Sequence, residues 1–480
     1  MRMMMTGERL SGVDRAWLRM DRPVNPMTVV GLIVLARRLR RAALAELITR
    51  RLLAFERFRC VPVTDSLGAS WIEASDFTLD DHVLVAALPA PGGQRELQTL
   101  AGELAGIPFA AGRPLWTFHL IERYGAGSAL IVRIHHCYGD GVALLRVLLS
   151  LADQPQGAPA LPAPQPASLS GSPFASGSAS GLASGPGNGL LGLISSAAAL
   201  LDEGMHYALS PTEASAAARE ALNIGAELAH LAAMRDEPIT LLKRPLSGSR
   251  RVAWTQALSV AEVHAIARVL GCTMNDVLVS TLAGALGRYL ESAGEPVSGL
   301  TLRAAVPVNL RASADPQQPQ GTQPLGNRFG LVFVELPLGI RHPLERLYAV
   351  RATMLSLKAS AQARATLTLL SLVGSLPEAV EELALTIFSA KASLVASNLR
   401  GPDEELSLAG KPVSEVLFWV PQSGSIGTGV SMLSYRGRVQ FGVSSDRALI
   451  PDPERLVEQL AVEFERLVFL VLLGAGSLLD

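Results

Sequence analysis

The chain has 480 residues, more than a single hydrophobic core normally organises, so two domains are expected. Its 42 lysines and arginines nearly balance its 43 aspartates and glutamates, and the formal net charge of -1 argues against nucleic acid as a main partner. Cys60, Cys137 and Cys272 lie far apart without a CxxC pair, which argues against a disulfide framework or a structural zinc site. A reducing, cytosolic setting fits this cysteine usage best.

Several features of the sequence bear on contact with lipid. Hydrophobic residues make up 49% of the chain, and the mean hydropathy of +0.30 is high for a soluble enzyme and compatible with work at a lipid surface. No stretch runs ~18 apolar residues without interruption, and the N-terminus lacks a signal-peptide core, so we expect no transmembrane helix. An arginine-rich segment at 37–51 and an apolar run at 468–473 are candidates for lipid contact. A solvated helix face and a buried helix end are the alternative interpretations.

The segments before residue 153 predict a mixed α and β domain. Hydrophobic patterning predicts strands over 27–35 and 129–134, and helices over 41–55 and 97–104. Ala, Pro, Gly and Ser then dominate residues 153–189, which predicts a flexible linker. The expected organisation is therefore an N-terminal domain at 1–152, the linker at 153–189 and a C-terminal domain at 190–480.

The C-terminal half also predicts mixed structure, without an internal repeat. A long helical stretch is predicted over 190–234. The later predicted elements are strands at 302–308, 331–336, 394–397, 416–420 and 438–443, and helices at 261–290, 343–360 and 453–473.

The most informative segment is the polar turn His135-His136-Cys137-Tyr138-Gly139-Asp140-Gly141, which lies between a buried strand and an apolar helix. Imidazole titrates near pH ~6.5, so a neutral ring that can accept a proton is available at physiological pH. Asp140 can orient such a ring or fix the turn, and Gly141 permits close backbone approach. Tandem histidines are also often structural, and Asp-Gly is common in ordinary turns. The residues alone leave both interpretations open.

Other chemistries lack their characteristic residues. A metal site is disfavoured because successive strand residues face opposite ways and no HExxH pattern is present. The chain has no GxSxG sequence for serine hydrolase chemistry and no Walker A sequence for nucleotide binding.

The seven residues from His135 to Gly141 match the HHxxxDG motif of CoA-dependent acyltransferases, a superfamily that includes chloramphenicol acetyltransferase and the condensation domains of peptide synthetases. Further segments resemble the bacterial wax ester synthase/diacylglycerol acyltransferase family specifically. They are Leu10-Ser11-Gly12-Val13-Asp14, Asn25-Pro26-Met27, Pro114-Leu115-Trp116, Asn275-Asp276 and Ser397-Asn398-Leu399-Arg400-Gly401-Pro402. Two departures are Leu399-Arg400, where the family usually has Val-Pro, and the long insertion after the motif helix.

The resemblance implies an α/β fold with two chloramphenicol-acetyltransferase-like domains, each a mixed sheet flanked by helices, and a substrate tunnel between them. It also implies that His136 is the general base, His135 a supporting residue, Asp140 the residue that holds the loop and Gly141 part of the turn. The implied reaction is direct attack of an alcohol on a long-chain acyl-CoA, which needs neither an acyl-enzyme nor a metal or other cofactor.

The implied acceptors are diacylglycerol or a fatty alcohol, and the products are triacylglycerol or wax ester. The implied location is cytoplasmic, in peripheral contact with the inner membrane face or lipid droplets. Two other functions remain open: a condensation-type enzyme that uses carrier-bound acyl groups or an amine, and a non-catalytic lipid-binding protein of the same fold.

Three residues are expected near the site with a structural alternative for each. The resemblance makes Asn275 and Asp276 neighbours of the site, while the spacing of Thr273 and Asp276 equally fits a helix N-terminal cap. Trp116 is either a substrate contact or a core tryptophan at the start of a strand.

Overall fold

The computed structural model describes residues 7–65, 68–153, 223, 225–231, 233–311, 325–374 and 378–477. Nearly all of the expected linker at 153–189, and the expected helix from 190 to 222, lie outside the described residues. The domain boundaries therefore stay a prediction.

The N-terminal part contains mixed structure, as the sequence predicts. Its elements are α1 (Gly12–Arg19), β1 (Thr28–Leu35), α2 (Arg41–Leu47), β2 (Cys60–Asp65), β3 (Gly68–Glu73), β4 (Val83–Val85), α3 (Gln94–Gly106), β5 (Trp116–Tyr124), β6 (Gly127–His135) and α4 (Gly141–Leu151). The strands predicted over 27–35 and 129–134 are confirmed as β1 and β6. The helix predicted over 41–55 is α2 followed by a π-helical turn at Ile48–Leu52.

The C-terminal part begins with a strand. Its elements are β7 (Arg250–Trp254), β8 (Leu258–Ser259), α5 (Val260–Val269), α6 (Met274–Ser292), β9 (Thr301–Asn309), β10 (Phe329–Pro337), α7 (Pro343–Ala359), α8 (Gln362–Val373), α9 (Glu378–Ala390), β11 (Leu394–Arg400), β12 (Ser407–Leu408), β13 (Lys411–Trp419), β14 (Thr428–Tyr435), β15 (Arg438–Asp446) and α10 (Pro453–Ser477). All five strands predicted in this half are confirmed.

The helix predicted over 261–290 is wrong in one respect, because it is two helices that meet at 99°. Gly271, with φ +61, lies in the break. Thr273 then caps the next helix, accepting a hydrogen bond from the Asp276 amide at 3.2 Å while the Asp276 carboxylate accepts one from the Thr273 amide at 2.8 Å. The reciprocal cap begins α6 in its new direction.

Two large sheets organise the described residues, and β2 and β3 form a separate two-stranded sheet. The first has strand order β12-β13-β1-β6-β5-β4, and the second has order β10-β9-β11-β14-β15-β7 with β8 paired to β15. Strands β12 and β13 come from the C-terminal half of the sequence yet complete the first sheet, where β13 pairs antiparallel with β1. The sheets meet where the Ser431 hydroxyl donates to the Phe418 carbonyl and the Tyr435 hydroxyl donates to the Val413 carbonyl at 3.1 Å.

Strand β6 lies at the centre of the first sheet, and all nine of its residues are buried. Its side chains alternate between two hydrophobic clusters, with Leu130, Val132 and Ile134 in one and Ala129 and Ile131 in the other. Burial on both faces explains the continuous apolar sequence, and it holds the end of the strand, at His135, in a fixed place.

Among the residues that the structure describes, no single helix combines the length and apolar character needed to cross a bilayer, although α5 and α6 taken together would pass by length and composition.

Candidate active site

The turn after β6 is built by its own residues. His135 ends the strand, and its Nδ1 accepts a hydrogen bond from the Cys137 amide at 3.1 Å. Residues His136–Tyr138 form one 3-10 turn, and Asp140 then caps α4 by accepting a hydrogen bond from the Ala143 amide at 2.9 Å. Strand end, turn and helix cap therefore fix the two histidines and the aspartate within six residues of each other.

Asp140 also joins the two halves of the sequence. Its Oδ2 forms a salt bridge with Arg311 and accepts a hydrogen bond from the Arg328 amide at 3.0 Å. The side chains of Arg311 and Asp140 are 5% and 7% exposed, so the pair is shielded from water. A buried charge pair of this kind is costly to break from either side.

A short segment of the C-terminal half, Gly326-Asn327-Arg328, lies against the turn. Gly326 forms a β-bridge with Gly139. The Asn327 amide side chain donates to the His136 carbonyl at 2.9 Å and to Asp14 Oδ1 at 2.8 Å. Asn327 thus connects α1 to the backbone of His136, and burial raises the pKa of Asp14 against the opposing influence of Arg57.

His136 lies between aromatic rings. Its ring centroid is 4.5 Å from that of Trp17 and 5.7 Å from that of Phe329. Burial lowers the pKa of His136 to about 4, and the Asp140 carboxylate only partly opposes this shift. Nδ1 of the ring has no hydrogen-bond partner among the described residues. His136 is therefore neutral at pH 7, the state in which a histidine can accept a proton.

His135 has a different environment. Because its Nδ1 accepts a hydrogen bond, that nitrogen is unprotonated, and Nε2 lies 3.8 Å from Asp21 Oδ2. Burial lowers the pKa of His135 to about 3, with a further contribution from His136. The ring meets Phe109 edge to face at 6.4 Å and is not part of the cavity wall. This geometry supports the turn and places the His135 ring outside the cavity wall.

His136 lines a cavity of about 150 Å³ where the two sheets meet. Alternate residues of β9 and β10 face it, as expected for neighbouring side chains on one face of a strand. Its apolar wall includes Val29, Val142, Pro307, Phe329, Leu331, Phe333, Phe388, Leu399, Phe418 and Ile426, and its polar wall includes Asp140, Asn309, Ser389, Ser397, Asn398 and Ser423. The arrangement fits a mainly hydrocarbon ligand whose reactive polar group lies at His136.

The other predicted site residues lie at different distances from this cavity. Gly141 lines it, and a Cβ atom there would come within 3.1 Å of Leu399 Cδ1. Asn275 does not line the cavity but contacts a residue that does, because its Oδ1 accepts a hydrogen bond from Asn398 Nδ2 at 3.1 Å. Asp276 is buried in the cap of α6 and does not line the cavity.

The structure places Trp116 in the core rather than beside the cavity. Its indole is completely buried, donates to the Phe58 carbonyl at 2.8 Å and stacks on His82 with ring centroids 4.3 Å apart. The physical reason is its position at the start of β5, on the face that packs against the hydrophobic cluster of the first sheet.

Sequence reasoning missed many residues of the site, and four of them contact the turn directly: Trp17, Arg311, Asn327 and Phe329. Arg311 and Asn327 lie 171 and 191 residues from their partners in the turn, so nothing local in the sequence links them. A weak signal existed for Trp17, because it lies three residues after Asp14 in a segment already singled out by resemblance. Among the described residues, no group of three or more His, Cys, Asp or Glu side chains could hold a metal ion.

A neutral buried histidine thus lies on the wall of an apolar cavity, at a strand end between two mixed sheets, and this arrangement fits a transferase that uses histidine as a base. Family models agree: the wax ester synthase/diacylglycerol acyltransferase catalytic domain matches residues 10–278, and the C-terminal domain of the same family matches residues 325–468. The first match covers more than half of the sequence. The chain belongs to the wax ester synthase/diacylglycerol acyltransferase family, and it is an acyltransferase of that type.

Relatives and solved structures support this assignment. A Mycobacterium bovis protein is 30% identical over 98% of this chain and 92% of its own length, and a Mycobacterium tuberculosis H37Rv protein is 28% identical over 94% and 90%; both are named as diacylglycerol O-acyltransferases. The fold matches the wax ester synthase/diacylglycerol acyltransferase from Marinobacter aquaeolei VT8 with a TM-score of 0.67 at 21% identity, covering 97% of this chain and 99% of that one.

A starter condensation domain of rhizomide synthetase, solved with C8-CoA and Leu-SNAC, matches with a TM-score of 0.57 at 16% identity over 98% and 95% of the two chains. At this identity the likeness concerns the fold. The predicted fold class, a mixed α/β protein with sheets flanked by helices, is confirmed.

Proposed function

We propose that this protein transfers the acyl group of a long-chain acyl-CoA to the hydroxyl of diacylglycerol or a fatty alcohol, with His136 as the general base. The observation that carries the proposal is the position of a neutral His136 on the wall of a cavity lined mostly by apolar side chains. A water-insoluble alcohol suits that wall, and a neutral imidazole suits the proton that its hydroxyl must lose.

The proposed reaction proceeds in two steps without a covalent enzyme intermediate. The alcohol oxygen attacks the thioester carbonyl while His136 takes the hydroxyl proton, which gives a tetrahedral oxyanion. The oxyanion then collapses, the carbon–sulfur bond breaks and the thiolate of CoA takes the proton from His136. Ser397, Asn309 and Asn398 in the cavity wall supply hydrogen-bond donors of the kind that stabilise such an oxyanion.

Asp140, Arg311 and Asn327 act on His136 indirectly. Asp140 fixes the helix that follows the turn, and Asn327 holds the His136 carbonyl, so both keep the backbone beneath the imidazole in place. The Asp140 carboxylate also favours the imidazolium that forms when His136 accepts the proton.

The test compares acyl transfer by wild-type protein and a His136→Ala variant, with thiol release and labelled ester product measured for palmitoyl-CoA with diacylglycerol, hexadecanol and an amine in parallel. Activity with either alcohol should fall by roughly 10²–10⁴-fold in His136→Ala. His264→Ala, a change at an exposed histidine of α5, is the matched control and should retain activity. A folded His136→Ala protein that esterifies at the wild-type rate contradicts the general-base role, and transfer to the amine alone contradicts the proposed acceptor.

The proposal includes peripheral attachment to the inner membrane face or lipid droplets from the cytoplasm. Its support is an apolar group near the end of α10, where Phe469, Leu472 and Leu473 are 62%, 64% and 75% exposed. Replacing all three by serine should reduce flotation with phospholipid vesicles. Leu355→Ser, at an exposed leucine of α7, is the control and should float like wild type. Equal flotation of the triple variant and wild type would refute this attachment surface.

A further inference from the structure

A second cavity lies beside α4, farther from the histidines. It has a volume of about 30 Å³ and a wall that is almost entirely apolar, which includes Ile33, Leu145, Leu148, Leu149, Val416 and Leu433. The three leucines of α4 are half-buried, so their side chains can change rotamer without repacking the core. The proposed mechanism does not use this cavity.

The same elements line both cavities in the same order. On β1, Val29 faces the catalytic cavity and Ile33 the second one; on β13, Phe418 and Val416 do the same. These pairs differ by even numbers, so each pair lies on one face of its strand. The register gives the direction, because Thr28 pairs with His135 while Ile33 pairs with Leu130, five residues back along β6.

Helix α4 runs the same way. Gly141 and Val142, next to the catalytic turn, line the first cavity, whereas Leu145 and Leu149 line the second. Leu399 and then Gly401, just past β11, follow the same order. Strands β1 and β13, helix α4 and the end of β11 with its following loop thus extend from the first cavity to the second. From Val29 to Ile33 the distance along β1 is about 13 Å at ~3.3 Å per strand residue.

Gly31 lies midway between the cavities. It faces the same side of β1 as Val29 and Ile33, and its register partner on β13 is Phe418. A Cβ atom at Gly31 would lie 3.8 Å from Val132 Cβ and 3.9 Å from Leu148 Cδ1, which is ordinary contact. A methyl group therefore fits, while a larger side chain would enter the space between the cavities. Glycine inside a strand weakens it and often marks close approach of a ligand.

We propose that the two cavities are the ends of one binding site for a substrate hydrocarbon chain, which lies with its reactive end at His136, passes over Gly31 and ends at Leu148 and Val416. This inference rests on the proposed function. The chain belongs either to the acyl donor or to the alcohol, and both are hydrocarbon chains. Gly31 is then a specificity residue that allows long chains, and Leu148 moves to admit the chain end.

The test measures kcat/KM of Gly31→Val in two series. Hexanoyl-, decanoyl- and palmitoyl-CoA are each used with hexanol, and hexanol, decanol and hexadecanol are each used with hexanoyl-CoA. Each buried methylene contributes about fourfold to binding. If the valine side chain excludes three methylenes of the long chain, the ratio of kcat/KM for the long substrate to kcat/KM for the short one should fall roughly 50-fold. A fall in the donor series assigns the site to the acyl chain, and a fall in the acceptor series assigns it to the alcohol. Unchanged ratios in both series, from a folded variant, overturn the proposal.

Two further variants separate steric blocking from damage to the fold. Gly31→Ala, whose methyl fits without displacement, should give a smaller fall in the same ratio. Leu148→Ala added to Gly31→Val should restore part of the ratio, because it removes a side chain that lies 3.9 Å from the new Cβ atom. Failure of this rescue, with both variants folded, counts against a continuous site and for general damage.

A binding measurement separates this proposal from the proposed function. Calorimetry compares palmitoyl-CoA with hexanoyl-CoA, and hexadecanol with hexanol, on wild type and Gly31→Val. If wild-type protein transfers no acyl group at all, the proposed function fails, yet a lower long-to-short affinity ratio in Gly31→Val still supports the site. Equal affinity ratios for both ligand pairs in the two proteins overturn it.

Discussion

Removal of the Asp140 carboxylate should destabilise the protein more than removal of the His136 ring. Asp140 accepts from the Ala143 amide at 2.9 Å and from the Arg328 amide at 3.0 Å, and it is the buried partner of Arg311. Loss of a cap costs about 1 kcal/mol, and a buried charge left without its partner costs about 3–5 kcal/mol. Since the terms overlap, Asp140→Ala should lower the free energy of unfolding by about 3–5 kcal/mol.

The assay is denaturant unfolding followed by tryptophan fluorescence, together with kcat on the same preparations. His136→Ala should lose activity and keep most of its stability, because Asn327 donates to the His136 backbone carbonyl, which the substitution leaves in place. Asp403→Ala breaks the exposed pair with Arg400 and serves as a control that should cost less than about 1 kcal/mol.

A double variant tests the cause of the loss. If the uncompensated charge of Arg311 dominates, then Arg311→Met in the Asp140→Ala background should recover part of the lost stability, as replacement of buried ion pairs by apolar side chains often does. Wild-type stability of Asp140→Ala combined with loss of activity would refute this reasoning and would give Asp140 a direct part in the chemistry instead. Additive losses in the double variant would refute the role of the Arg311 charge.

Three further outcomes are expected. Because burial keeps His135 and His136 neutral, the unfolded chain binds protons below pH ~6.5 that the folded chain does not. The free energy of unfolding should therefore fall on acidification by about 1.4 kcal/mol per histidine between pH ~7.5 and ~5.5. An unchanged unfolding midpoint over that range would contradict the lowered pKa values. For the same reason kcat/KM should not fall as the pH is lowered through ~6.5. Such a fall in a stably folded enzyme would mean that His136 is exposed to water. Asn327→Ala should lower kcat with little change in KM. It should also lower the free energy of unfolding by about 1–3 kcal/mol, because Asp14 and the His136 carbonyl lose a hydrogen-bond donor. A pure KM effect measured by steady-state kinetics would place Asn327 in substrate binding.

Local pattern was enough to predict where the turn after β6 lies. Strand β6 is apolar along its length because it is buried on both faces, and the change to polar residues at His135 marks its end. The aspartate before an apolar helix is also a recognisable cap, which is the role that Asp140 has in α4. The positions of the two histidines and of Asp140 therefore follow from residues within one short segment.

The assembly of the sheets could not be predicted in the same way. Strand β13 is predicted from its own apolar residues, but nothing in them indicates that it pairs with β1 instead of with its neighbours in the C-terminal half. A strand starting at Trp116 was one of the two interpretations of that residue, but the extent of β5 was not predicted because His119 and Glu122 interrupt its apolar pattern, although His119 is buried. Pairings between distant segments depend on tertiary packing, which overrides local propensity.

The candidate site depends on the same long-range assembly. Its N-terminal residues supply the proposed base and the helix cap, while Arg311, Asn327 and Phe329 from the other half contact them. Burial lowers the pKa of His136, so the protonation state of the ring depends on how the two halves of the sequence pack.

The packing around His136 also leaves hydrogen-bonding atoms unsatisfied. Nδ1 of His136, Nε1 of Trp17 and Oδ1 of Asn327 are buried without partners among the described residues. Each such atom costs about 1–3 kcal/mol, and the three belong to the proposed base and to two residues that contact it. Stability is thus lower at this position than complete pairing would give. A base that bonded every neighbour would be better satisfied but less ready to take a proton from a substrate, so the unsatisfied atoms are consistent with a site shaped by reactivity.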